Sequence, residues 1–313
     1  MARNTDLLLT SMAPIIWGST YVVTTEYLPA GYPLTVAMLR ALPVGLLLLL
    51  VVRQLPSGVW WLKVLLLGAL NFSIFWWMLF VSAYRLPGGV AATVGAIQPL
   101  IVIIFARILL NSSIRPLAAV AAVISIAGIA AVIITPQASL DPIGLAAGFA
   151  GAASMALGTV LSRAWQPQVS LLTYTSWQLL AGGLLLLPAA IWFEPPLPTL
   201  TQTNLLGLIY LGFIGAALTY LLWFRGLSRL EPYSVSTLGF LSPITAVVIG
   251  WIFLEQRLNS SQFFAVAIVL MGVWLGQYAV RPIAGAKRAP AIATKTPQLL
   301  TKHPSHKTKE KDQ

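Results

Sequence analysis

The chain contains no cysteine. Disulfides, thiolate metal sites and a cysteine nucleophile are therefore excluded. Its only two histidines, His303 and His306, lie in a polar C-terminal stretch. The apolar part of the sequence thus has no imidazole to ligate a metal or act as a base. Charged residues make up 9% of the 313 positions, and only 8 of them are acidic. A soluble domain carries about 25%, so this chain has too few to cover a water-facing surface. No GxxxxGK[ST] stretch occurs, which leaves no phosphate-cradling loop of the ATPase kind. No grouping of nucleophile, base and orienting residue is visible either, which argues against an enzyme.

What is abundant is apolar sequence. The chain is 58% hydrophobic, with a mean hydropathy of +0.84. Runs long enough to span a bilayer, about 20 residues each, recur along almost its whole length. The expected fold class is an all-α polytopic membrane protein with about ten transmembrane helices. Their expected spans are 7–24, 33–52, 62–83, 88–109, 116–134, 142–162, 171–192, 204–226, 232–254 and 261–280. The first run holds Trp17 and Tyr21, and no small-residue cleavage site follows it, so it is read as a retained helix and not as a signal peptide. Pro29, Gly31 and Pro33 punctuate the first break, and Pro195, Pro196 and Pro198 make a stiff turn. Pro87 and Pro232 fit a first helical turn, where the missing N–H costs little.

The net charge of +11 does not indicate nucleic acid, because the basic residues sit between apolar runs and in the tail, where topology signals belong. With the N-terminus inside, the count puts Arg3, Arg53, Lys63, Arg107, Arg115, Arg163, Arg257 and Arg281 inside. It puts Arg85, Arg225 and Arg229 outside, with Glu26, Asp141, Glu194 and Glu231. The bias predicts a multi-pass protein of the plasma (cytoplasmic or inner) membrane with both termini cytoplasmic. Residues 282–313 read as a disordered basic tail, either topology-fixing or bound to anionic lipid.

The two halves resemble each other. "GAIQPLIVII" and "GFLSPITAVV" align Pro99 with Pro243, an offset of 144 residues. Without a gap, the same offset pairs Gly68 with Gly212, Phe80 with Phe224, Arg85 with Arg229, Thr93 with Thr237, Gly95 with Gly239 and Gly128 with Gly272. Earlier in each half a slightly smaller offset matches Arg40 to Gln178 and Gly45 to Gly183. The expected organisation is a five-helix repeat at 1–136, a second at 137–281, and the tail. An odd number of helices inserts the second copy upside down, an arrangement common in secondary transporters.

"WGSTY", "LRALPVG", "AATVGAIQPL" and "STLGFLSPITAVVIGWIFLEQRL" together resemble the EamA-type branch of the drug/metabolite transporter (DMT) superfamily, over residues 7–280. The opening "APIIWGSTYVVTTEYLP" is similar to pigment exporters of the indigoidine type. The resemblance implies ten helices, export from the cytoplasm, and coupling to protons or to the substrate gradient alone. One departure is Asn111, which stands where the matched position after the ninth helix holds Glu255.

Polar and aromatic groups inside the helices mark a candidate site. Arg40 sits near the middle of the second helix. It is read as an anchor for an anionic substrate group, or as a residue that snorkels or pairs with Glu26. Trp17, Tyr21 and Thr24 share one helix face with Thr20 beside it, and suit the wall of a pocket for a planar ligand or an interfacial belt. Asn71, Phe75 and Trp76 lie in the third helix, and Tyr220 and Trp223 in the symmetry-related eighth, where Tyr220 matches Trp76 at the offset of 144. Of the neighbours Trp76 and Trp77, one is expected to face lipid. Gln98 and Thr93 are candidate hydrogen-bonding groups, and Trp177 and Gln178 further wall candidates. Pro99 and Pro243 free carbonyls near Gly95 and Gly239, so these four are candidate hinges or gates. The stripe of Gly144, Gly148, Ala152 and Ala156 reads as a packing face.

The function expected is a secondary-active or facilitative exporter of small metabolites, an amino acid, pigment or drug-like amphipath, working by alternating access. A channel or a non-transporting scaffold is the alternative. No cofactor is expected, with proton coupling left open. The expected partners are a small-molecule substrate and the lipid bilayer, without nucleic acid, and the unit is a monomer, or alternatively a dimer.

Overall fold

The computed structural model describes residues 2–110, 116–134, 141–230, 238–239, 241–255 and 260–279. The tail and Pro232, Glu231 and Asn111 lie outside the described residues. Every regular element among those described is helical. The first expected span is two helices, α1 (Ala2–Gly18) and α2 (Thr20–Tyr27), broken at Ser19, whose hydroxyl donates to the Ile16 carbonyl at 2.7 Å. Then come α3 (Pro33–Val52), α4 (Trp60–Gly68) and α5 (Phe75–Arg85), the last two joined by a π-helical segment, Ala69–Ile74. The fourth span divides into α6 (Gly88–Gly95) and α7 (Gln98–Leu110). There follow α8 (Pro116–Ile134), α9 (Pro142–Ala164) and α10 (Leu171–Phe193). A second π segment, Tyr210–Leu218, joins α11 (Gln202–Ile209) to α12 (Thr219–Arg229), and α13 (Leu241–Phe253) and α14 (Ser260–Ala279) complete the chain. Taking each interrupted stretch as one, these make ten helical stretches. Seven are long and apolar enough to cross a membrane, and Leu241–Phe253 and Phe263–Gly272 are shorter apolar helices.

The distribution of side chains is that of a protein solvated by lipid. Leu50, Val51, Trp192, Phe193, Trp251 and Phe253 are exposed, while Arg40, Asn71, Thr175, Ser176 and Gln178 are buried. Water would reverse that pattern. Helix ends are closed locally. Pro33 opens α3 at its first turn. Asp141 caps α9 by accepting from the Ile143 and Gly144 amides, and Ser170 caps α10 through the Thr173 amide. Thr201 and Asn204 form a reciprocal capping box on α11. The carboxylate of Glu194, at the end of α10, accepts from the amides of Leu34 and Thr35 at 2.7 and 2.8 Å. It thereby caps α3 from another helix, where the helix dipole favours an anion.

The structure repeats at the offset seen in the sequence. Moved by 144 positions, Ala69–Ile74 falls on the second π segment and Phe75–Arg85 on α12. The helices cross reciprocally. A Cβ at Gly45 would lie 2.5 Å from the Leu180 nitrogen, and one at the matched Gly183 would lie 2.7 Å from the Leu42 Cα. Likewise Gly128 abuts Val269 and Gly272 abuts Ser125. Residue i meeting j while j meets i is the signature of a two-fold axis, here a pseudo-two-fold within one chain.

The copies run in opposite directions. At one end, Tyr84 donates to the Pro29 carbonyl and Asn204 to the Tyr27 carbonyl, so the end of α5 and the start of α11 both lie beside the end of α2. At the other end, Arg225 and Arg229 of α12 reach Asp6 of α1, at 2.7 and 3.6 Å. This corrects the sidedness count. Arg225 and Arg229 lie on the face of the N-terminus, opposite Arg85, which pairs with Asp141 at 2.6 Å. The hydrogen bond from Arg85, aided by the Gly144 and Ile143 amides, holds the Asp141 carboxyl below the usual carboxylate range.

Candidate substrate site

A cavity of about 190 Å³ opens where the two repeats meet. Its aromatic wall is a continuous cluster. The Trp17 ring lies 5.3 Å from Tyr220 and 5.1 Å from Trp223, and Trp76 lies 6.1 Å from Tyr220. Behind them, Phe72 packs against both Trp76 and Tyr220. Offset and edge-on ring pairs of this kind add stabilisation beyond their buried area. The Trp17 indole donates to the Thr219 hydroxyl at 2.9 Å, and that hydroxyl donates to the Gly215 carbonyl at 2.9 Å. The chain of bonds fixes the indole in place.

Arg40 is 2% exposed and lines the same cavity. Its Nη2 donates to the Gly215 carbonyl at 2.6 Å, within the second π segment. Its guanidinium carbon sits 4.2 Å from the Trp76 ring centre, a cation–π contact. The Nε has no hydrogen-bond partner among the described residues. Arg40 therefore neither snorkels nor pairs with Glu26.

Of the residues singled out in the sequence, the cavity wall contains Trp17, Thr20, Tyr21, Arg40, Phe75, Trp76, Gln98, Tyr220 and Trp223, with Gly95, Gly239 and Pro243. Trp76 is 1% exposed and Trp77 is 38% exposed, so the second of the pair faces lipid. Tyr21 and Thr24 are buried, not in an interfacial belt. Four candidates are placed elsewhere. Asn71 donates to the Gln178 side chain at 2.8 Å and to Ser162 at 3.0 Å, so these two amides face each other inside the bundle. Thr93 donates back to the Gly89 carbonyl. The Trp177 indole donates to the Gln54 carbonyl, beside Tyr174 and Val64. The Pro99 ring lies outside the described side chains. The Gly239 carbonyl is not freed by Pro243, since the Ser242 amide donates to it at 3.2 Å.

Several wall residues escaped sequence reasoning. Ser82 lines the cavity, and its buried hydroxyl has no partner among the described residues. Gly148, Gly151, Ala152, Met155 and Thr159 contribute one face of α9. The small-residue stripe that reads as packing thus also makes room for the cavity. Its spacing was visible in the sequence, but its neighbour was not.

An aromatic-walled cavity between two inverted helical repeats defines a multi-pass membrane transporter. The chain belongs to the EamA-like transporter family, which it matches twice, over residues 5–134 and 142–276. It is 45% identical to Protein PecM of Dickeya dadantii (strain 3937) over 267 residues, 85% of this chain and 90% of the relative. It is 24% identical to the probable amino-acid metabolite efflux pump of Salmonella typhimurium, over 90% of this chain and 97% of that protein. A crystal structure 20% identical in sequence covers 87% of this chain and 96% of its own with a TM-score of 0.64, which supports the fold.

Proposed function

We propose that the protein exports a small amphipathic metabolite across the cytoplasmic membrane by alternating access. The observation that carries this reading is the placement of the cavity. Its wall draws on α1, α2, α3, α5, α6 and α7 of the first repeat and on α9, α12 and α13 of the second. A site shared between inverted halves is opened to one face or the other as they rock. The efflux activity in the name of the Salmonella relative supports the outward direction. We take the repeats as 1–136 and 137–281, with both termini cytoplasmic. The corrected positions of Arg225 and Arg229 add to the basic residues on that face. We take the monomer as the working unit. Among the described residues the wall has no Asp, Glu or His, the usual members of a proton relay. We therefore read transport as driven by the substrate's own electrochemical gradient.

The test is uptake into inside-out vesicles carrying the protein, with amino acids and planar pigments as substrates and Trp17→Ala alongside. Saturable uptake, lost in Trp17→Ala while the protein remains folded, is expected. Uptake that never saturates would indicate a channel, and none across the panel a scaffold.

A further inference from the structure

We infer that the transported molecule carries an anionic group which serves as the counter-ion of Arg40, so that the site selects by sign of charge. This rests on the reading of the cavity as the substrate site. Arg40 is the one cation among the described wall residues, and that wall holds no carboxylate. An unpaired charge buried in a low-dielectric interior is costly. Three other described arginines have carboxylate partners. Arg85 has Asp141, and Arg225 and Arg229 share Asp6.

The compensation Arg40 receives is partial. The Gly215 carbonyl takes one donor, and the Trp76 face attracts the guanidinium without accepting a hydrogen bond from its edge. Nε is left buried and unpartnered. The Ser82 hydroxyl on the same wall is also unpartnered. A guanidinium with open donors beside flat rings fits a carboxylate or sulfonate on a planar apolar body. The anion takes the open N–H groups, and the body lies among Trp17, Trp76 and Trp223. A cationic amphipath of the same shape meets a like charge on that wall.

The full-length protein in lipid nanodiscs is titrated calorimetrically with three probes on one ring system: 2-naphthoate, 2-naphthamide and 2-naphthylmethylammonium. Empty nanodiscs correct for partitioning. One charge-assisted hydrogen bond predicts that naphthoate binds about 10- to 100-fold tighter than naphthamide, with the ammonium weakest. Arg40→Gln brings the naphthoate-to-naphthamide ratio to about one, and Arg40→Lys retains a reduced preference for the anion. Ammonium binding as tight as naphthoate, equal binding of naphthoate and naphthamide, or an anion preference that survives Arg40→Gln overturns the inference and leaves the cavity reading standing. Failure of all three probes overturns the cavity reading as well. If Arg40→Gln does not give a monodisperse protein, the wild-type ratios and Arg40→Lys decide.

Discussion

Replacing Gly45 by alanine tests the reciprocal crossing of α3 and α10. The new Cβ would stand 2.5 Å from the Leu180 nitrogen and 2.8 Å from its Cα. Both are backbone atoms and cannot rotate away, so the helices must separate by most of an ångström to reach ordinary contact. Overpacking of this kind costs about 1–3 kcal/mol, and backbone contact puts the site near the top of that range. The alanine gives back about 1 kcal/mol in helix propensity. The net loss is therefore about 2 kcal/mol, opposite in sign to the same change on an open helix. Gly183→Ala, which meets Leu42 across the same crossing, is expected to lose about the same. Once one methyl has pushed the helices apart, the second meets less resistance. The double variant should therefore fall well short of the sum, by more than the roughly 0.5 kcal/mol that independent sites show. Unfolding titrations in mixed micelles, read by loss of helical signal, measure all three. Full additivity, or a Gly45→Ala variant as stable as the parent, refutes the pseudo-two-fold crossing.

Three further outcomes are expected. Gly95→Ala meets nothing closer than the Tyr21 hydroxyl at 3.9 Å, so it should not lower stability in the same titration but should weaken ligand binding by narrowing the cavity. The Arg85–Asp141 pair holds a carboxyl below its usual range. Its stabilisation is complete above about pH 3.9 and lost only as pH falls through the lower folded-state value. Thermal melts of Asp141→Asn should lose that acid-side dependence and match the parent's shape at neutral pH. In proteoliposomes clamped with valinomycin, a tenfold potassium gradient should shift the equilibrium ratio of a transported monovalent anion about tenfold, because potential acts on its charge. A collapsed pH gradient should change nothing, and dependence on the pH gradient alone would instead indicate proton coupling.

The spans were legible because lipid imposes a simple rule, about 20 apolar residues between breaks. The second span, 33–52, was read to the residue, since Pro33 fixes its first turn. The aromatic wall was legible because Trp17, Trp76, Tyr220 and Trp223 stand inside apolar spans, with Trp76 and Tyr220 at matched places 144 residues apart. Asn71 and Gln178 were harder to place. Asn71 lies inside a π-helical segment, where one extra residue per turn rotates the following face by about 100°. No composition signal marks that register, so a regular helical wheel aims Asn71 at the cavity when it meets Gln178. Arg225 and Arg229 were assigned to the wrong face although they lie at the end of the eighth span, and an even number of crossings returns the chain to the side of the N-terminus. Ser82 carried no signal, since a serine in an apolar helix looks the same whether it bonds its own backbone or faces a cavity.

The repeat gives the bundle two equivalent seats in which position 40 or 178 meets position 71 or 215. One is occupied by a guanidinium on a carbonyl, Arg40 to Gly215, and the other by two neutral amides, Asn71 and Gln178. A charge-assisted bond is roughly twice as strong as a neutral one. The two latches of an otherwise mirrored machine therefore have different strengths. A difference of about 1 kcal/mol between them tilts a two-state balance roughly fivefold. On the alternating-access reading proposed above, an imbalance between these two matched seats is expected to bias which face of the membrane the empty protein watches.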